Sequence, residues 1–264
     1  MATLAQGPIA PAIGDERFFL RGAIIMALLI VAGFSFQLAM GRSTFASPVR
    51  VHAHAILFMG WVAIYVTQNV LVSAGRVDLH RKLGWFAAAW MTAMVVSGFV
   101  VTIAMVRNGL VPFFFQPLQF LIFDPVTILG FAGLTIAAIR LRRRTEWHRR
   151  LHFCGMSLLL APAFGRLLPL PLLQPWAWEA AFAAAMLFPV VGARIDMKQR
   201  GSIHPAWLWG IGVTVAVFAV TQAVTYSPVG TAIYRAVTEG SPGAAVPPLE
   251  FPPPPGSELR TGRG

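Results

Sequence analysis

The stretch VHAHAILFMGWVAIYVTQNVLVSAGRVDLHRKLGW, Val51 to Trp85, decides the fold. From Val51 to Ser73 it carries no Asp, Glu, Lys or Arg. A run of about 20 apolar residues crosses a ~30 Å hydrocarbon core as a helix rising 1.5 Å per residue. A short turn with Arg76, Asp78, Arg81 and Lys82 follows, and a second apolar run begins. The stretch therefore reads as one membrane crossing, a basic turn and the entry to the next crossing.

The same alternation continues along all 264 residues, of which 56% are hydrophobic and only 12% charged. Soluble domains carry about 25% charge. The expectation is an all-α polytopic membrane helix bundle with about seven spans, near 18–40, 51–73, 83–106, 117–139, 151–168, 176–193 and 203–225. Residues 1–17 read as a polar cytoplasmic arm and 18–226 as the transmembrane domain. Residues 227–264 are rich in Pro and Gly and read as a disordered tail. The first run, Phe18 to Met40, exceeds the apolar core of about 7–15 residues in a cleaved signal peptide, so it is taken as a span.

The net charge of +11 invites a nucleic-acid reading. Its distribution argues against one, because the basic residues sit in short loops between spans, where topology explains them. The larger share of Lys and Arg falls on the side that holds Arg76 to Lys82 and Arg140 to Arg150, which sets an N-in, C-out orientation. A multi-pass protein of a bacterial cytoplasmic (inner) membrane is expected. Anionic lipid is the expected partner of the basic loop 140–150, with room for a membrane protein partner. Cys154 is the single cysteine, which excludes an intramolecular disulfide.

The turn DLHRKLGW has an echo in EWHRRLHF, Glu146 to Phe153. Both are acid, bulky apolar, His, Arg, basic, Leu, and both open an odd-numbered span on the cytoplasmic side. Spans 2 and 3 and spans 4 and 5 thus read as two similar hairpins in one orientation, the pattern of a parallel repeat. A pseudo-twofold axis sets His80 and His148 at matching depth. His152 lies one turn beyond His148 on the same face, at the repeat position of Gly84. Small residue against histidine leaves room for a flat ligand, and facing imidazoles are usual axial ligands of a b-type haem. The competing reading is architectural: histidines at headgroup level, solvated beside snorkelling arginines.

A second set lies toward the outer side. His54, Asp124, Arg166 and Glu179 are ionisable groups in or near spans, where such groups are costly and mark cavities or pathways. Together they suggest a site for a proton, a quinone or a small polar ligand. Asp124 has a second reading as the N-cap of a helix starting at Pro125. Arg166 and Glu179 also read as end-of-span residues. His204 before Pro205 reads as a cap.

The residues His54, Gln68, His80, Arg81 and Gly84 resemble a family of uncharacterised bacterial polytopic membrane proteins with an H-R-x-x-G motif after the second helix. The segment RRRTEWHRRLHF…LLLAPAFGRLL is similar to the same group. The resemblance implies fold and location, and no activity. A more distant likeness is to the b-type cytochrome transmembrane reductases, which hold haems between paired hairpins. It implies one haem on His80 and either His148 or His152. An outer haem would need a partner for His54, and the repeat position holds Ile122. The sequence thus expects, in order, a non-enzymatic carrier, sensor or accessory subunit, a one-haem redox protein, and a quinone- or lipid-linked enzyme using the outer cluster.

Overall fold

The computed structural model describes residues 13–254, with side chains from Glu16. The expected N-terminal arm lies almost wholly outside the described residues, as does the end of the tail. Among the described residues there is no strand. Six helices are long and apolar enough to cross a membrane. They are α1 (Ile13–Ala39), α2 (Val49–Ser73), α3 (Val77–Arg107), α4 (Pro117–Arg140), α7 (Ala177–Arg200) and α8 (Pro205–Thr225). Two short helices, α5 (Thr145–Leu158) and α6 (Ala161–Leu167), lie between α4 and α7.

The expected fifth span is therefore broken. With 14 residues, α5 reaches about 21 Å at 1.5 Å per residue, short of a ~30 Å core. The chain turns at Leu159 and Leu160, and Pro162 lies in the first turn of α6. Proline has no N–H to continue a ladder and is best accommodated at such a start.

α4 begins earlier than the cap reading of Asp124 allows. Gln116 takes an extended conformation before it, and Pro117 opens the helix. Pro125 lies inside the helix, so Asp124 is an interior residue of α4 and not its cap. The correction has a simple cause: Pro117 satisfies the same rule of proline in the first helical turn, eight residues earlier along PLQFLIFDP.

The chain also continues past the expected end of structure. Residues 228–238 form α9 (Pro228–Thr238), and 242–245 form a 3-10 turn. Ser227 caps α9, its hydroxyl accepting from the Gly230 N–H at 3.1 Å. Tyr234 donates toward the carbonyls of Gly243 and Val246 at 3.1 and 3.0 Å. The Leu118 N–H binds the Pro248 carbonyl at 2.8 Å, and Arg107 donates to the Val237 carbonyl at 2.5 Å. Hydrogen bonding to the ends of α3 and α4 thus holds a segment whose composition alone reads as disordered.

The bundle packs as α2 along α3, α4 along α5 and α8, and α1 against α2 and α6, with α7 beside α5, α6 and α8. Both expected hairpins are present. Trp207 is fully buried in the core and stacks on Phe19, ring centroids 6.1 Å apart at 8°. It fits because α7 carries Gly192 there: a Cβ at that position would lie 2.3 Å from the indole.

Candidate functional site

The end of the bundle where α3 and α5 begin brings the three predicted histidines together. The His80 ring of α3 lies 6.0 Å, centroid to centroid, from the His148 ring of α5. His152, one turn further along α5, lies 4.7 Å from His148, and both contacts are edge-on at 85°. His148 Nδ1 is 2.8 Å from the Ala138 carbonyl of α4. A carbonyl can only accept, so that nitrogen carries the proton and Nε2 keeps a lone pair.

His80 Nδ1 is buried and bonded to no protein atom, and the same holds for Gln68 Oε1. Gln68 approaches from α2, its amide nitrogen 3.5 Å from where a Gly84 Cβ would stand. Gln68 thus packs against the Gly84 position, one turn along α3 from His80. Thr135 Oγ1 and Trp61 Nε1 are also buried without partners, and a Cβ on Gly155 would stand 3.5 Å from that hydroxyl. Buried polar atoms in native proteins are nearly always paired, so several orphans mark an unexplained polar demand.

The same end carries a network that sequence reading assigned to the headgroups. Arg150 is 0% exposed. Its guanidinium donates twice to Asp196 of α7 at 2.8 Å each, and also to the Glu146 carboxylate. Trp207 Nε1 donates to the same Asp196 at 2.9 Å. Arg200 lies 3.2 Å from Glu146. This fork locks α5, α7 and α8 together directly behind the histidines. Asp196 gave little signal, because it stands among Arg194, Lys198 and Arg200, past the expected end of the span at 193. His204 caps α8, accepting from the Ala206 N–H at 3.1 Å.

Toward the opposite end of the bundle, His54 Nδ1 is 3.1 Å from the Ser97 hydroxyl of α3, and its ring stacks on Phe58 at 4.2 Å. Thr102 donates to Asp124 Oδ2 at 3.3 Å. Arg166 of α6 acts electrostatically on both His54 and Asp124. Its guanidinium sits 4.0 Å over the Phe34 ring and donates to the Pro162 carbonyl at 2.8 Å. Three members of the expected outer set are therefore neighbours. Glu179 has a different setting: it is the third residue of α7, its Oε2 is buried without a hydrogen-bond partner, and Gln119 of α4, Gln222 of α8 and Tyr226 are the groups that act on it.

Among the described residues no group of three or more His, Cys, Asp or Glu side chains is placed to hold a metal ion. No family model, curated protein or solved structure matches the chain. The fold and site define a class, a polytopic α-helical membrane protein with polar groups inside its bundle. The reading of function rests on the geometry alone.

Proposed function

We propose that this protein is a non-enzymatic, small-ligand-binding membrane protein, a carrier, sensor or accessory subunit, whose ligand is held at the inner histidine cluster. The observation that carries the reading is the convergence of His80, His148 and His152 beside the unpartnered Gln68 Oε1 and His80 Nδ1. A ligand with its own donors and acceptors satisfies both atoms.

In this reading α5 and α6 together make the seventh crossing, with the N-terminus inside and the C-terminus outside a bacterial cytoplasmic membrane. Arg140, Arg142, Arg143 and Arg144 are exposed on the loop before α5 and supply the contact with anionic lipid.

The test is native mass spectrometry of the protein purified in mild detergent. Wild type and His204→Ala should retain a common non-protein mass, and His80→Ala with His148→Ala should lose it. Identical spectra for all three would overturn the reading.

A b-type haem between α3 and α5 is the second reading. The donor chemistry favours it: His148 has its Nδ1 on a backbone carbonyl, the arrangement that orients imidazoles toward iron and zinc. His80 with His148 or His152 would be the axial ligands, and the group would supply one-electron transfer. The visible spectrum after expression with added haem decides. A Soret band lost in His80→Ala supports haem, and no band refutes it.

A further inference from the structure

We propose that the groove between α2 and α3 binds one anionic phospholipid, with an acyl chain along the groove and the phosphate on Arg50. The groove holds about 550 Å³ and is lined by Arg50, Ala53 and Leu57 of α2 and by α3 from Ala89 to Val100. Small-molecule pockets span about 300–1,000 Å³. The short side chains of Ala53, Ala89 and Ala93 leave the space. Its walls are fixed, because Trp90 of α3 bridges the two helices. The Trp90 indole N–H donates to the Leu57 carbonyl at 2.8 Å, and a Cβ on Gly60 would stand 2.5 Å from that ring.

Two hydroxyls belong to the lining, and both are already engaged. Thr92 donates to the Ala88 carbonyl at 3.4 Å, and the Ser97 hydroxyl is held by His54 Nδ1 at 3.1 Å. Neither needs a polar partner from the groove, so a hydrocarbon chain covers the wall without stranding a polar group. α2 and α3 form an antiparallel hairpin, so Arg50 near the start of α2 stands level with Val100 of α3. From Val100 to Ala89 the helix runs about 16 Å at 1.5 Å per residue. One leaflet supplies about 15 Å of a ~30 Å hydrocarbon core. The groove thus has the length of one acyl chain, from headgroup level to mid-bilayer. Arg50 is the one charged residue in the lining, and no acid accompanies it there. A guanidinium binds a phosphate in a bidentate fork, and an anionic headgroup brings no cation of its own to compete for that phosphate. Two copies of the chain facing one another here would set hollow against hollow, which disfavours self-association through this face. The groove touches none of His80, His148 and His152, so the two proposals stand or fall separately.

The experiment is native mass spectrometry of the full chain in detergent, with phosphatidylglycerol and phosphatidylcholine of the same acyl chains added in equal amounts. Wild type should take up one phosphatidylglycerol saturably and in preference to phosphatidylcholine. Arg50→Gln should weaken phosphatidylglycerol binding roughly five-fold and remove the preference, the effect of one arginine at a membrane surface. Ala93→Phe fills the groove and should lose both lipids. Ala93 is exposed, so the larger ring displaces no packed side chain. Arg142→Gln with Arg143→Gln, on the loop before α5, should keep the tight lipid. Equal phosphatidylglycerol uptake by wild type, Arg50→Gln and Ala93→Phe would overturn the site, as would the lack of saturable uptake by wild type. A dimer that Ala93→Phe dissolves, with no lipid preference in wild type, would overturn it in favour of a second copy.

Discussion

Arg150 and its neighbour Arg149 read identically in the sequence, as two members of a basic collar. The structure separates them: Arg150 is 0% exposed in a fork with Asp196, whereas Arg149 pairs with Glu146 at the partly open rim. Which residue turns inward depends on the helix face, and that depends on what α7 brings opposite. A single sequence read locally does not hold that information. His80 and His148 were legible because the repeat placed both at the same depth. Removing one partner from a buried pair leaves an uncompensated charge, so Asp196→Ala should lower unfolding stability by about 3–5 kcal/mol. Denaturant unfolding in detergent checks it. The double change Arg150→Met with Asp196→Leu should cost clearly less, because no charge is stranded.

At the scale of elements, the spans with long uninterrupted apolar runs were legible, because hydropathy alone sets them. The breaks were not. Pro162 divides the fifth expected span, whereas Pro125 and Pro189 are absorbed within α4 and α7. The close approach of α7 and α8 rests on Gly192 under the Trp207 indole. Gly192→Ala should cost about 1–3 kcal/mol through overpacking and loosen the Trp207–Asp196 bond, seen as a lower thermal midpoint. α9 was hidden because its partners are carbonyls and helix ends far away in the chain. Tyr234→Phe removes the donor to the Gly243 and Val246 carbonyls and should cost about 1–3 kcal/mol. The expected readout is faster proteolytic clipping after residue 226, with the transmembrane core intact.

Across the whole molecule, the polytopic all-helical class was legible from composition. The proposed topology predicts that, in a Cys154→Ala background, a cysteine replacing Arg142 reacts with impermeant maleimide only from the cytoplasmic side. A cysteine replacing Leu172, which is 84% exposed, should react only from outside. The reverse pattern would invert the topology. The candidate sites were legible in part. His80, His148 and His152 lie together, and His54, Asp124 and Arg166 are neighbours. Glu179, in the first turn of α7, is acted on instead by Gln119 and Gln222, neutral residues that carried no signal in an apolar chain.

The central claim is that the inner histidines hold a ligand. The most direct measurement is an experimental density map of the protein purified from its own membranes, at a resolution that shows side chains. The account predicts non-protein density in contact with His80 and Gln68, lost in His80→Ala with His148→Ala. A map in which the imidazoles pack only on one another and on protein atoms, with no further density, would contradict it.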